Sequence, residues 1–281
     1  MKRKWIILTT CLVLVVIVIS TMSKLYIHEK WQSENIHSLN EKVTNLENSL
    51  IAANDEISEL KSEIQRLEGK YSYLDNGFNY LAIGNSITLH GKADYWWNEI
   101  GMAATKKEND YVHLIASYLQ SHNDEVCFYA VNFFKWENQA HDRAETYEVI
   151  NPYLTDKLNL VTIQLSENVS DISTYESDYV ALIKYIQEAA PDAQILVIDD
   201  FWDNGDKSTL KQKACEETGV DFISLSDIKG LAEYKCGLGT TVYDRDGNPH
   251  IVEHEGVAGH PGDDGMKAIA ERVIPFIDLL E

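Results

Sequence analysis

The chain has 281 residues, of which 44% are hydrophobic and 25% are charged, as is ordinary for a globular protein of enzyme size. Its formal net charge of −21 is unusual, and because residues 1–24 contain no Asp or Glu, the acidic excess lies in the rest of the chain. Such a surface repels phosphate backbones, so we expect no nucleic-acid partner. The four cysteines form no CxxC motif, so the sequence predicts no metal site, redox pair or cofactor.

Residues 5–22 form an uncharged apolar stretch at the N-terminus. As a helix it would be roughly 27 Å long, just enough to cross the hydrocarbon core of a bilayer. Lys2, Arg3 and Lys4 precede it and favour a cytoplasmic N-terminus. No small-residue cleavage site follows it, which favours an uncleaved anchor over a cleaved signal peptide. We therefore predict a basic tail and transmembrane helix over residues 1–24 of a single-pass membrane protein whose C-terminal domain is extracytoplasmic.

Hydrophobic residues between positions 36 and 67 recur in alternating steps of three and four. The a positions are Ile36, Val43, Leu50, Ile57 and Ile64, and the d positions are Leu39, Leu46, Ala53, Leu60 and Leu67. Five heptads in register are typical of a coiled coil, and mostly β-branched a with Leu-rich d positions favours a parallel dimer. The alternative is a lone amphipathic helix packed on the next domain. Residues 25–74 are accordingly interpreted as a coiled-coil stalk, which would make the protein a homodimer.

Past residue 74, short apolar runs alternate with amphipathic stretches. The predicted strands are Tyr80–Ile83, Val126–Val131, Leu160–Leu165, Ile195–Ile198 and Phe222–Leu225. The predicted helices are Asp110–Gln120, Ser177–Ala189, Leu210–Glu217 and a last helix from about Asp264 to Leu280. This alternation predicts an α/β domain over residues 75–281, with a mainly parallel sheet and helices on both faces. In such sheets functional residues gather at the carboxyl ends of the strands.

Three polar side chains occupy such places. Ser86 follows the first predicted strand in the segment LAIGNSIT, where Gly84 permits a tight backbone and the hydroxyl would be exposed at the sheet edge. Asn168 follows the third strand, and its amide could donate a hydrogen bond to a developing oxyanion. His260 lies just before the last helix. These residues form the candidate site.

The segments that carry these residues resemble the sequence blocks of SGNH hydrolases. GNSIT at residues 84–88 resembles the GDSL block, which carries the nucleophile in that family. SEN at residues 166–168 is similar to the GxN block, and HPGDDG at residues 260–265 is similar to the HPxDxG form of the last block. The three occur in the family's order across almost all of residues 79–281.

The resemblance implies a three-layer α/β/α fold of flavodoxin-like type with a five-stranded sheet. It also implies a two-step acyl transfer without a metal. Ser86 would attack an ester carbonyl, and His260 would take its proton. The Ser86 amide and the Asn168 side chain would hold the oxyanion.

Three departures from the family pattern lie in the first blocks. Asn85 replaces the usual Asp, and either side chain can bond nearby backbone amides. Ser166 replaces a glycine. Phe134 stands about where the family's second block has a glycine whose amide contributes to the oxyanion hole, so the Phe134 amide is a candidate donor.

A fourth departure concerns the residue that orients His260. The family's acid lies three residues before the histidine, and here that position is Val257. Either a backbone carbonyl orients His260, which would make a Ser–His dyad, or a carboxylate such as Glu255 or Asp244 reaches it. Glu255 is the candidate acid.

The substrate is suggested by the outward anchor, the family's common substrates and the aromatic run Tyr95-Trp96-Trp97, since aromatic faces suit sugar rings. Trp97 is the candidate sugar-binding residue. We expect an extracytoplasmic serine esterase that removes acetyl or similar groups from a cell-envelope carbohydrate, with an acylated carbohydrate or another ester as its substrate. The alternatives are an O-acyltransferase on envelope glycans and a non-catalytic envelope protein with a degenerate hydrolase domain.

Overall fold

The computed structural model describes residues 20–24, 31, 42–44, 46, 49–50, 71–203 and 205–279. The chain divides into two compact units, residues 1–68 and 69–281. The described residues of the first unit are helical. Most of the predicted anchor and coiled coil lies outside the described residues, and within the described part no helix has the length and apolar character needed to span a bilayer.

The second unit is built on a five-stranded sheet in which all neighbouring strands are parallel. The strands are β1 (Phe78–Gly84), β2 (Val126–Asn132), β3 (Leu160–Gln164), β4 (Gln194–Ile198) and β5 (Asp221–Ile223), in the order β2-β1-β3-β4-β5. The predicted parallel sheet is confirmed. This order is the flavodoxin-like one. Successive strands are added first on one side of β1, as β2, and then on the other side, as β3, and ligands of such sheets bind at this switch between β1 and β3. Two short strands, β6 (Thr241–Tyr243) and β7 (Pro249–Ile251), form a separate antiparallel pair that was not predicted.

Helices cover both faces of the sheet, as predicted. They are α1 (Tyr111–Gln120), α2 (Phe134–Asn138), α3 (Tyr175–Ala189), α4 (Lys207–Thr218), α5 (Glu255–Ala258) and α6 (Asp263–Val273). Alternate side chains of β1 enter two separate cores. Tyr80 and Ala82 pack with α1 and α6, whereas Leu81 and Ile83 pack with α3 and α4.

Local sequence explains where several helices begin and end. The Asp110 carboxylate accepts a hydrogen bond from the His113 amide, 2.8 Å away, and so caps α1. Gly219, with φ +74°, ends α4 in the left-handed conformation that glycine adopts without a steric penalty. The last α-helix stops at Val273 rather than near Leu280, because Pro275 lacks an amide hydrogen and the chain continues as a short 3₁₀ turn.

The carboxyl ends of the three central strands are level with one another, because Gly84 of β1 lies opposite Asn132 of β2 and Gln164 of β3. A Cβ on Gly84 would lie 1.8 Å from Thr88 Oγ1 and 2.7 Å from the Gln164 carbonyl oxygen. Only glycine therefore lets the chain fold back so tightly after β1. This turn presents Ser86 at the carboxyl end of β1.

Candidate active site

Ser86 and His260 meet at the carboxyl ends of the central strands, although 174 positions separate them in the sequence. Ser86 lies in the turn after β1, and His260 lies between α5 and α6. The Ser86 Oγ and the His260 Nε2 are 2.8 Å apart, within the hydrogen-bond distance that a nucleophile and its base require.

A backbone carbonyl orients the histidine. The His260 Nδ1 lies 2.6 Å from the Gly256 carbonyl oxygen, which can only accept, so Nδ1 carries the hydrogen and Nε2 is left to accept from Ser86. Gly256 belongs to α5, a single helical turn whose carbonyls have few partners within the helix. The imidazole supplies the missing donor.

The expectation that Glu255 is the acid partner is wrong. Glu255 is exposed, and in the described part of the chain no carboxylate bonds to His260. Asp244 instead accepts hydrogen bonds from Asn248, and its carboxylate lies 3.2 Å from the His250 ring. The backbone alternative is the one the structure contains.

His260 is neutral near pH 7. Burial of the ring lowers its pKa to about 4, and the nearby rings of His90 and His254 act in the same direction, although the bond to the Gly256 carbonyl partly opposes them. Trp202 packs against the imidazole at nearly a right angle, with the ring centroids 4.9 Å apart. A neutral imidazole in a fixed orientation can accept the serine proton.

Asn168 occupies the place expected for an oxyanion donor. Its Nδ2 donates to the Glu137 Oε2, 2.7 Å away, which uses one of its two hydrogens. Asn168 and Ser86 line the same cavity. The Ser86 amide has no hydrogen-bond acceptor among the described residues. The second Nδ2 hydrogen of Asn168 and the Ser86 amide are therefore available to donate to a substrate oxygen.

The Phe134 amide was expected to be a further donor, and this expectation is wrong. That amide donates to the Asn132 Oδ1, 2.9 Å away, and is therefore occupied. The side chain of Phe134, which is 42% exposed, contributes to the wall of the cavity instead.

The cavity over Ser86 has a volume of about 280 Å³. Its walls include Tyr95 and His254, whose rings stack with centroids 4.6 Å apart, and also His90. Trp97 does not line this cavity but stacks on His250 beside another surface hollow, so its assignment to the site is wrong. The aromatic run Tyr95-Trp96-Trp97 does lie in a loop beside the site, but the ring that lines the cavity is that of Tyr95.

A larger cavity of about 630 Å³ lies next to Lys106, Tyr243 and Arg245, and its wall contains no serine or cysteine. The smaller cavity is the candidate active site because it contains the Ser86–His260 pair. Within the described ranges, no group of His, Cys, Asp and Glu side chains is arranged to hold a metal ion.

A buried carboxylate, that of Glu137, lies beneath the site. Glu137 of α2 is 2% exposed and accepts hydrogen bonds from the Asn85 Nδ2 at 3.0 Å and the Ser166 amide at 2.5 Å, in addition to Asn168. Burial raises the pKa of Glu137, and these donated hydrogen bonds oppose the rise. No motif marks this residue, because its role depends on three partners from two other segments.

Ser166 occupies a backbone position that favours glycine. Its φ is +117°, a conformation that side chains with a Cβ rarely adopt. The Ser166 hydroxyl donates to Asp200, which is itself 2.6 Å from the buried Lys211 ammonium. These bonds hold a backbone conformation that serine would otherwise avoid.

No family model and no curated protein matches the sequence. Among solved structures, the chain is similar to a two-domain esterase (CEX) active on acetylated mannans, with 14% identity, a TM-score of 0.44, and coverage of 78% of this chain and 52% of that one. It is also similar to a family two carbohydrate esterase from Cellvibrio japonicus, with 16% identity, a TM-score of 0.44, and coverage of 71% and 60%. Similarity to phospholipase A1 from Streptomyces albidoflavus NA297 is at 12% identity and a TM-score of 0.43, with coverage of 72% and 100%. Scores below 0.5 do not establish a common fold, so these similarities carry no conclusion about function.

Proposed function

We propose that the protein is a serine ester hydrolase that removes a small acyl group, such as acetyl, from a cell-envelope carbohydrate. The observation that carries this proposal is the 2.8 Å contact between the Ser86 hydroxyl and a neutral His260 at the base of an open cavity. The position of the expected acid is Val257, which is an argument for a degenerate domain. The Gly256 carbonyl removes that objection, because it fixes the imidazole without a carboxylate.

In the proposed reaction, Ser86 Oγ forms a bond to the ester carbonyl carbon while its proton passes to His260 Nε2. The negative charge on the former carbonyl oxygen is held by the Ser86 amide and the Asn168 side chain. The ester bond then breaks, and the leaving alkoxide takes the proton from His260. Water repeats the sequence on the acyl-enzyme, releasing a carboxylic acid and restoring the serine.

The size and walls of the cavity support a small acyl group on a sugar. At about 280 Å³ the cavity is near the lower limit for small-molecule sites, which fits acetyl better than a long acyl chain. Tyr95 and Phe134 are 39% and 42% exposed at its walls. Exposed aromatic faces are apolar surfaces on which a sugar ring can pack.

The location and assembly are also proposed from the sequence: residues 5–22 would anchor the protein, with the hydrolase unit extracytoplasmic, and the heptads would pair two chains. Light scattering of the detergent-solubilised full chain tests the pairing. A dimer mass that falls to the monomer mass in Leu46→Lys/Leu60→Lys supports the dimer, and a monomer mass for the wild type contradicts it.

Hydrolysis of p-nitrophenyl acetate and of acetylated mannan by the full chain tests the activity. We expect Ser86→Ala and His260→Ala each to lower kcat by at least about a thousandfold. The chain offers a matched control, because Ser121 Oγ and His122 Nδ1 are also 2.8 Å apart, on the exposed surface beyond α1. We expect Ser121→Ala and His122→Ala to keep the wild-type rate.

Equal rates in the wild type, Ser86→Ala and His260→Ala would contradict the proposal. Release of free acetate should be the main outcome when a deacetylated glycan is added as acceptor. Transfer of acetyl to that glycan in place of acetate release would identify an acyltransferase instead.

A further inference from the structure

We propose that Glu137 is a positioning residue that holds the Asn168 amide and the nucleophile turn in one fixed arrangement. This inference rests on the proposed function, because it assigns Glu137 a role in setting the oxyanion donor. Glu137 lies in α2, directly after β2, and so at the same sheet edge as the turns after β1 and β3. It connects those turns from beneath.

The two carboxylate oxygens of Glu137 have separate partners. Oε1 accepts from the Asn85 Nδ2 at 3.0 Å and from the Ser166 amide at 2.5 Å. Oε2 accepts from the Asn168 Nδ2 at 2.7 Å. One rigid group therefore sets the distance between the residue before the nucleophile and the candidate oxyanion donor.

The contact with Asn168 decides how that amide is oriented. One Nδ2 hydrogen is directed at Glu137, so the second hydrogen of the planar amide has a fixed direction. Asn85 is fixed from both ends, because its Oδ1 accepts from the Ile87 amide at 3.0 Å. The Ser86 backbone lies between Asn85 and Ile87, which this hydrogen bond connects, and the Ser86 amide is thereby held as well.

The chemistry of the site requires a carboxylate at position 137. All of the contacting groups are donors, and a carboxylate accepts at both of its oxygens. Glutamine has nearly the same shape but would turn an N–H₂ group towards one of these donors. The same constraint explains Asn85, because aspartate there would direct a second negative group at Glu137.

The proposal is tested with the full chain as a double-mutant cycle on p-nitrophenyl acetate hydrolysis, with Glu137→Gln, Asn168→Ala and the double variant. We expect Asn168→Ala to lower kcat about 100- to 1000-fold, as the loss of one oxyanion donor does elsewhere. Glu137→Gln should lower kcat about 10- to 100-fold and change KM by less than about threefold. In the Asn168→Ala background, Glu137→Gln should lower kcat clearly less than it does in the wild type, because one of the two groups that it positions is absent and only the contact with Asn85 of the nucleophile turn remains.

The matched control is Asp178→Asn, which makes the same carboxylate-to-amide change at a residue that pairs with the buried Arg143 outside the site. We expect its kcat to stay within about twofold of wild type. An equal loss in Asp178→Asn and Glu137→Gln would overturn the proposal, since a general loss of packing would then explain both. A full, additive Glu137→Gln effect in the Asn168→Ala background would also overturn it.

The rate at which a fluorophosphonate labels Ser86, followed by mass spectrometry in the same variants, separates this inference from the proposed function. If the wild type is labelled but hydrolyses no ester, the hydrolase assignment fails, and the labelling rates complete the cycle for Glu137. If the wild type hydrolyses the ester through Ser86 and the cycle is additive, only the inference on Glu137 fails. No labelling of the wild type overturns both.

Discussion

Asn85→Asp is expected to destabilise the protein, and to do so more strongly as the pH rises. Asn85 donates to Glu137 over 3.0 Å inside the protein, and both side chains are buried. The substitution removes that donor and places a second carboxylate at the same distance. It also restores the aspartate that the GDSL block usually has.

The loss of stability is bounded by the free energy needed to keep one of two adjacent carboxyls protonated, that of Glu137 or the one introduced at position 85. Two charges about 3 Å apart at an effective dielectric constant of about 20 repel by roughly 5 kcal/mol. Holding a carboxyl of ordinary pKa protonated costs about 4 kcal/mol at pH 7 and about 1.5 kcal/mol at pH 5. The pair therefore takes up a proton, and the loss of stability should approach about 4 kcal/mol at pH 7.

The direction of the pH dependence follows from where the proton is held. The raised pKa belongs to the folded state, so above about pH 4 the folded variant binds a proton that the unfolded chain releases. Stability relative to wild type should then fall by up to about 1.4 kcal/mol for each pH unit above about pH 4.

Urea unfolding of wild type, Asn85→Asp and Asn85→Ala at pH 5 and pH 7, followed by tryptophan fluorescence, measures this difference. Asn85→Ala is the control, because it removes the same hydrogen bond without adding a charge, and its deficit should depend on pH less steeply than that of Asn85→Asp. An Asn85→Asp deficit that is equal at both pH values, or larger at pH 5, would refute the reasoning.

Four further outcomes are expected. kcat/KM for p-nitrophenyl acetate should be nearly constant from about pH 8 to about pH 6 and fall only near pH 4. The reason is that the pKa of His260 is lowered to about 4 and that protonation removes the base. A midpoint of the profile near pH 6.5 would contradict the burial of the ring. In urea unfolding, Ser166→Gly should be more stable than Ser166→Ala by about 1–2 kcal/mol, since both lose the bond to Asp200 but only glycine relieves φ +117°; equal stability would argue against strain. Glu255→Ala should keep kcat for p-nitrophenyl acetate within about twofold of wild type, and a hundredfold loss would restore Glu255 as the acid. Tyr95→Ala should raise KM several-fold for acetylated mannan but not for p-nitrophenyl acetate, and an equal effect on both substrates would place no sugar on this ring.

Much of the fold was predictable, because strand and helix periodicities are local properties of the chain. The five parallel strands lie within a few residues of their predicted positions. The four longer helices were also predicted, and capping or proline explains the start of α1 and the ends of α4 and α6. The short pair β6–β7 was missed, since its three-residue strands are too short to show a period.

The site was predictable only where chemistry is tied to residue type. Ser86 and His260 carry side chains that motifs can mark, and the structure brings them to 2.8 Å. The partner of His260 is a main-chain carbonyl at Gly256, which every residue possesses and no motif can identify. A sequence shows that Glu255 has a carboxylate close to His260, but it does not show which backbone carbonyl faces the ring.

The sequence by itself determined the parallel sheet, because buried strands need apolar runs and turns at its edge need residues such as Gly84. It also determined the residue types of the candidate nucleophile, base and amide donor, since these proposed roles require particular side chains. Tertiary structure alone decided which carbonyl orients His260, which aromatic ring faces the cavity and which carboxylate lies beneath Asn168. Those choices depend on distances of a few ångströms between segments far apart in the chain, and only the folded packing sets such distances.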